Sequence, residues 1–96
     1  MRFEWDEGKN LANRRKHSLS FEEARSLFES GADYLELFDA AHSESEDRFI
    51  AIGPSSRGIV VVTWEDQGDD VVRIISARPA TRREVMLFRE RMRDRR

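Results

Sequence analysis

Two spacings of hydrophobic residues divide the chain into a helical beginning and a strand-forming remainder. Residues 2–5 alternate polar and aromatic side chains, a pattern that predicts a short strand. Residues 6–17 are largely polar and suit a helix with Asp6 as its N-cap. A second helix is predicted from Ser20, because Ser-Phe-Glu-Glu is a capping box, and it should end at Gly31. Its apolar stripe at helical spacing comprises Phe21, Ala24, Leu27 and Phe28.

From residue 34 onward, apolar residues recur at every second position. This spacing predicts an edge strand followed by three further strands joined by short turns, at 34–38, 48–53, 59–64 and 71–77. Short turns between consecutive strands imply an antiparallel meander. Thr81 and Glu84 form a second capping box that opens a last helix. We therefore expect an α+β fold, with one antiparallel sheet packed against two N-terminal helices and one C-terminal helix.

The composition indicates a single small domain spanning residues 1–96, since no internal repeat or linker-like stretch interrupts the chain. The absence of cysteine excludes disulfides and thiolate metal sites and suits a reducing cytoplasm. The first ten residues carry acidic side chains and no apolar run, so no signal peptide is predicted. The longest apolar run, 59–62, is far too short to span a membrane. These features predict a soluble cytoplasmic protein.

The net charge of -2 conceals an uneven distribution. Residues 73–96 hold nine arginines and three acidic residues, a balance of nine minus three, or +6. Residues 1–72 hold the other eight basic and sixteen acidic side chains, a balance of -8. Such an arginine-rich end could offer phosphate a positive surface, but charge alone favours a merely solvated helix.

Most familiar catalytic and metal-binding patterns are missing from the sequence. It contains no glycine-rich phosphate loop and no Ser-His-Asp set at a known motif. His17 and His42 are too isolated for a zinc site, and the acidic loop 44–47 lacks the full pattern of a calcium loop. We therefore predict neither a metal nor a cofactor.

Two groups of basic residues remain as candidate chemistry. Lys9 and Lys16 share one side of the first predicted helix. His17 lies at the end of that helix, where the helix dipole favours a positive charge. The second group runs from the last strand into the last helix and comprises Arg73, Arg78, Arg82 and Arg83. Because strand residues alternate between faces, Arg73 and Arg78 are expected on opposite sides of the sheet.

These residue types suit RNA cleavage by the neighbouring 2′-hydroxyl, which needs a base, an acid and cations that stabilise the phosphorane. Arginine grips two phosphate oxygens and stays charged, whereas lysine and histidine can move protons. Arg48, at the start of a strand, and Arg57, in a turn, could add to either basic group. On residue pattern alone, an inert arginine-rich surface remains favoured over nucleic-acid chemistry.

Three signatures in order cover nearly the whole chain. The first consists of Phe-Glu-Trp-Asp-Glu-x-Lys at 3–9, Asn13, Lys16-His17, Ser-Phe-Glu-Glu-Ala at 20–24 and Phe28. The second consists of Glu46-x-Arg48-Phe49, Gly53, the Ser-Arg-Gly turn at 56–58 and the valine strand. The third is Arg-Ile-Ile-Ser-Ala-Arg-x-Ala-Thr at 73–81 with Glu84. With these signatures the sequence resembles the BrnT toxin family of type II toxin–antitoxin modules.

The resemblance implies a RelE-like fold and a metal-independent endoribonuclease that inhibits translation and growth. It also implies a ribbon-helix-helix antitoxin of the BrnA kind, which neutralises the toxin, binds operator DNA and represses the operon together with it. In this hypothesis the catalytic residues are Lys9, Lys16, His17, Arg48 and Arg78. The residues that bind the RNA substrate are Arg57, Arg73, Arg82 and Arg83. The alternative is a non-catalytic module that only binds its antitoxin and acts as co-repressor.

Several signature residues also have a purely structural interpretation. Trp5 and Phe21 suit the core, and Asn13 suits a helix cross-link. Thr81 and Glu84 suit a cap rather than catalysis. The sequence also departs from the family pattern, with Ser18 at a usual glycine, Glu65-Asp66 where Thr-Glu-Arg is common, Pro79 at an often polar position and Phe88 at a usual tyrosine.

Overall fold

The computed structural model describes residues 1–94. In this part of the chain, helices and strands follow the predicted order, with one added 3-10 turn at Ala40–His42. The elements are β1 (Arg2–Glu4), α1 (Glu7–His17), α2 (Phe21–Glu29), β2 (Leu35–Phe38), β3 (Arg48–Ser55), β4 (Gly58–Asp66), β5 (Val71–Pro79) and α3 (Arg82–Asp94).

The sheet has five strands in the order β1-β5-β4-β3-β2. Strands β2 to β5 form the predicted antiparallel meander. Strand β1, however, pairs with β5 in parallel, so the expectation of a purely antiparallel sheet is wrong. Short turns force antiparallel pairing only between the strands that they join. Strand β1 is followed by two helices instead, and a chain that leaves a strand through helices need not reverse beside it.

Hydrophobic residues are buried on both faces of the sheet. One face packs against α2, and the cluster between them contains the largest fully buried apolar side chains, Phe21, Leu27, Val60, Val62 and Ile74. The other face lies beneath α3 and buries Leu35, Ile52 and Val61. Strand β4 contributes to both clusters, as its apolar sequence predicted. We call the second side of the sheet the α3 face.

The predicted helix caps are present. Asp6 accepts a hydrogen bond from the Lys9 amide at 3.0 Å, and Ser20 forms its capping box with Glu23. The box of Thr81 and Glu84 is formed in the same reciprocal way. Ser18 ends α1 in the left-handed conformation at φ 55°, which explains why a glycine would suit this position. Gly31 follows α2 at φ 76°, as expected.

Helix α1 is attached through two buried asparagines and has no buried apolar residue. Asn13 donates to the Ala77 carbonyl at 2.7 Å and to the Leu19 carbonyl at 2.9 Å, and it accepts from the Ala77 amide. Asn10, fully buried, accepts from the Phe21 amide at 2.8 Å. The structural interpretation of Asn13 is confirmed, whereas the matching role of Asn10 was not predicted.

A β-bulge in β5 changes which face its arginines occupy. Thr63 lies opposite Ser76, but Trp64 lies opposite Ile74, so one extra residue of β5 is accommodated between these pairs. Ala77 is consequently buried in the same cluster as Ile74. Arg73 and Arg78 therefore both lie on the α3 face. The prediction that they occupy opposite faces is wrong, because simple alternation fails across a bulge.

Candidate active site

A row of alternating charges crosses four strands on the α3 face. Arg48 of β3 is the direct cross-strand partner of Glu65 in β4, and Glu65 is the partner of Arg73 in β5. Glu4 of β1 is the next neighbour of Arg73. Side chains of direct partners lie on the same face about 5 Å apart. We call these four residues, Glu4, Arg73, Glu65 and Arg48, the charged row.

Each arginine of the charged row is matched with a carboxylate. The Nε and Nη2 atoms of Arg48 donate to the Glu65 Oε2 atom at 3.2 and 2.8 Å. The Nη1 atom of Arg73 lies 3.5 Å from Glu4 Oε1. The pair of Arg48 and Glu65 is half-buried, with 26% of the Arg48 side chain and 17% of the Glu65 side chain exposed. A phosphate that binds the Nε and Nη2 atoms of Arg48 would therefore have to replace the Glu65 carboxylate.

Arg78 lies on the same face but in a separate place. Its two Nη atoms donate to the two oxygens of Glu84 at 2.7 and 2.8 Å. These bonds, against the opposing effect of burial, lower the pKa of Glu84 to about 2, with help from Thr81. The same hydrogen bonds raise the pKa of Arg78. Arg78 thus joins the end of β5 to the first turn of α3.

Arg78 lies several residues away from the charged row in the direction of the strands. Arg78 pairs with Val61 in the β4 register, whereas Arg73 pairs with Glu65. Four residues of strand correspond to roughly 13 Å. The guanidinium group of Arg78, which is held by Glu84, and the charged row are therefore two separate candidate places for a phosphate.

The structure places the lysines and the histidine of the first basic group on α1, away from the face that holds the arginines. Lys9 and Lys16 are exposed and His17 is half-buried. Asn13, between the lysines on the helix, is bonded to the backbone of Ala77, the neighbour of Arg78. Helix α1 therefore lies at the edge of β5 that β1 leaves uncovered, close to Arg78 but not on its face.

The remaining predicted substrate-binding residues are dispersed. Arg57 donates to Glu23 at 3.0 Å and lines a shallow concavity with Arg14 and Arg15. Arg82 and Arg83 are exposed on the first turn of α3, beside a groove that includes Met86, Leu87 and Glu90. The structure thus brings Arg48 and Arg73 together, but it does not gather all the predicted residues into one site.

The sequence did not identify which acids neighbour these arginines, namely Glu4 and Glu65. A signal was available, because a hairpin turn that pairs Ser55 with Gly58 also aligns Arg48 with Glu65. The turn was predicted over five residues, 54–58, which left that register undetermined.

Within residues 1–94, no three His, Asp or Glu side chains are grouped so that they could hold a metal ion. None of the described helices combines the length and the apolar character needed to cross a membrane.

Comparisons with known proteins identify the family. The chain is similar to the ribonuclease toxin BrnT of Brucella abortus, known from a 1.1 Å crystal structure, at 31% identity and a TM-score of 0.68. That likeness covers 85% of this chain and 99% of the Brucella chain. No functionally curated protein matches the sequence significantly. The family described as "Ribonuclease toxin, BrnT, of type II toxin-antitoxin system" matches residues 5–84, and the chain therefore belongs to the BrnT family of ribonuclease toxins.

Proposed function

We propose that this chain is a metal-independent endoribonuclease toxin of the cytoplasm that arrests growth by cutting RNA. Membership of a ribonuclease toxin family carries the proposal. The partly exposed arginines of the α3 face support it, since planar guanidinium groups suit phosphate. The RelE-like character of the fold is part of the same proposal and rests on the resemblance of the sequence.

In the proposed reaction, a 2′-hydroxyl attacks the adjacent phosphorus as a base removes its proton. The bond between phosphorus and the 5′ oxygen breaks, and an acid protonates the departing oxygen, which leaves a 2′,3′-cyclic phosphate. Arg48, Arg73 and Arg78 stabilise the charge of the phosphorane and hold neighbouring phosphates. Lys9, Lys16 or His17 move the protons, for an RNA strand that passes around the free edge of β5.

A second candidate function is a non-catalytic module that binds its antitoxin and acts as co-repressor. One observation favours it, namely that Arg48, Arg73 and Arg78 are all engaged by carboxylates. In the absence of substrate, these pairs reduce the positive potential that would attract RNA. The two functions predict different results for an arginine substitution. It should reduce the toxicity of an endoribonuclease, whereas a non-catalytic module has no toxicity to lose.

The test compares growth arrest and RNA cleavage by the unaltered chain and by a Lys9→Ala, Arg48→Ala double variant. The endoribonuclease proposal predicts at least about a hundredfold slower cleavage and loss of growth arrest, since positioned proton transfer alone contributes about 10²–10⁴-fold. Equal thermal stability of both proteins is the control. Absence of growth arrest and of RNA cleavage from the folded, unaltered chain would favour the non-catalytic module, whereas growth arrest that persists in the double variant would show that Lys9 and Arg48 are not catalytic.

We further propose that a ribbon-helix-helix antitoxin inactivates the toxin by covering the arginine-rich C-terminal part, and that the complex represses its operon through operator DNA bound by the antitoxin. The outer surface of α3 supports this proposal. Met86 is 63% exposed there, beside Arg82 and Arg83. An exposed apolar side chain flanked by arginines fits acidic and apolar residues of a partner.

A further inference from the structure

Glu65 occupies the centre of the charged row, between two arginines. It accepts two hydrogen bonds from Arg48, at 2.8 and 3.2 Å, and lies directly across the ladder from Arg73. A guanidinium group binds carboxylate and phosphate through the same planar arrangement of donors. The Glu65 carboxylate therefore fills the place on Arg48 that an oxygen of an RNA phosphate would take.

The ion pair is not needed to hold these strands together. Strand β4 is paired with β3 from residue 58 to 65 and with β5 from residue 60 to 66. Solvent-exposed salt bridges stabilise proteins by only about 0–1 kcal/mol, and at this less exposed pair a neutral side chain that keeps an acceptor for Arg48 leaves no buried donor without a partner. Since the backbone ladder fixes the register on both sides, a neutral side chain of similar shape would replace Glu65 with little loss of stability.

The charges of the charged row cancel only because of its two acids. Glu4 and Glu65 balance Arg48 and Arg73, so the row as a whole is neutral. Removal of the Glu65 charge would give the row a charge of +1 and leave Arg48 without its carboxylate partner. Anion binding at this point should then strengthen, because phosphate no longer competes with a tethered carboxylate.

We infer that Glu65 is an internal competitor for RNA phosphate, which weakens the binding of RNA by Arg48 and Arg73 and takes no proton in the reaction. The inference rests on the proposed function in that RNA is taken as the ligand of this face. In this inference Glu65 sets the affinity for RNA and is neither the base nor the acid of the reaction.

The experiment measures binding of a single-stranded 2′-O-methyl RNA oligonucleotide, which cannot be cleaved, by the unaltered chain and by Glu65→Gln. Glutamine keeps the shape and an acceptor for Arg48 but removes the charge. We expect about tenfold tighter binding, equivalent to about 1.4 kcal/mol. The slope of log affinity against log salt should steepen by about 0.7 for each additional phosphate that the protein neutralises.

Two control variants separate this effect from a general change of charge. Glu29→Gln removes an equal charge from the Arg25–Glu29 pair of α2, which lies on the other side of the sheet, and should leave RNA affinity within about twofold of the unaltered chain. Adding Arg48→Gln to Glu65→Gln should abolish the increase in affinity. Thermal unfolding of each variant shows whether it is folded.

Parallel cleavage assays with unmodified RNA distinguish this inference from the proposed function. If the unaltered chain cleaves RNA but Glu65→Gln binds no more tightly than Glu29→Gln, the inference is overturned and the endoribonuclease proposal stands. Tighter binding combined with loss of cleavage also overturns it, because Glu65 would then be the proton acceptor. If Glu65→Gln binds RNA more tightly but neither protein cleaves RNA, the role of Glu65 as an internal competitor is supported and the endoribonuclease proposal is refuted.

Discussion

At the scale of single residues, polar side chains determine much of how this small protein is assembled. Asn13 connects α1 to the loop before α2 and to β5 through three hydrogen bonds to backbone groups. Two of these bonds satisfy the amide and the carbonyl of Ala77, which lie beyond the residues that pair with β1. The side chain thus supplies the hydrogen bonds that a neighbouring strand would make at this free edge of β5. The sequence predicted that Asn13 would cross-link a helix, but not that it would bond to a strand edge.

Replacement of Asn13 by alanine should destabilise the protein by about 2–4 kcal/mol, because it leaves buried backbone groups without partners. Urea unfolding measures this change as a lower midpoint with an unchanged slope. Asn13→Asp is the matched variant, since it keeps the shape but turns an oxygen toward two carbonyls, and it should be at least equally damaging. A loss of RNA cleavage with no loss of stability in Asn13→Ala would instead make Asn13 a functional residue.

The pair of Arg78 and Glu84 should make stability depend on acid pH. The folded-state pKa of Glu84 is lowered from 4.5 to about 2, so its contribution is complete above the unfolded value and is lost as the pH falls between them. A shift of this size corresponds to at most about 3 kcal/mol. Because Arg78 is 41% exposed, solvent screening reduces it to on the order of 1 kcal/mol.

The measurement for this pair is the free energy of unfolding of the unaltered chain and of Glu84→Gln at about pH 6 and about pH 3. Glu84→Gln should be less stable at the higher pH, and the difference should shrink at the lower pH as Glu84 is protonated in the unfolded chain. A difference that stays constant with pH would show that the ion pair does not stabilise the fold.

At the scale of elements, the sequence predicted helices and strands well, because the helices begin at capping residues and short turns join the strands of the meander. Asp6, Ser20 and Thr81 each cap a helix through hydrogen bonds within four residues of sequence. Features that depend on distant residues were not predictable in this way. The parallel pairing of β1 and the bulge in β5 arise from packing between elements far apart in sequence, and both errors follow from this difference.

The candidate site was predictable only in part for the same reason. Arginines could be identified by type, but their faces depended on the bulge, and their acidic partners depended on register. Glu65 lies between Arg48 and Arg73 because its strand, β4, lies between β3 and β5.

The surface of α3 gives a prediction about the antitoxin. Association of the antitoxin should slow as salt rises, because attraction between charges is screened over about 8–10 Å. Arg82→Ala with Arg83→Ala should lower both the association rate and its salt dependence. These two are preferable to Arg78, whose bonds to Glu84 support the start of α3.

Stopped-flow kinetics at several salt concentrations measure this effect, and Arg14→Ala with Arg15→Ala on α1 supplies a control of equal charge. An association rate that is insensitive to salt and unaffected by the α3 double variant would show that the antitoxin binds elsewhere.

At the scale of the whole molecule, an acidic body carries an arginine-rich C-terminal part, yet the arginines on the open part of the sheet are paired with acids. The overall charge therefore does not indicate the local charge of the surface that we expect RNA to bind. We expect RNA to bind on the α3 face, at arginines that must exchange a carboxylate for a phosphate. We propose that residues of α1 at the edge of β5 transfer the protons.

The most direct test of a metal-independent ribonuclease is cleavage of a defined single-stranded RNA by the purified protein in excess EDTA, followed by analysis of the product ends. Attack by the 2′-hydroxyl without a metal predicts undiminished cleavage and products that end in 2′,3′-cyclic phosphate. Cleavage that requires added magnesium, or products with 3′-hydroxyl ends, would contradict the proposed mechanism.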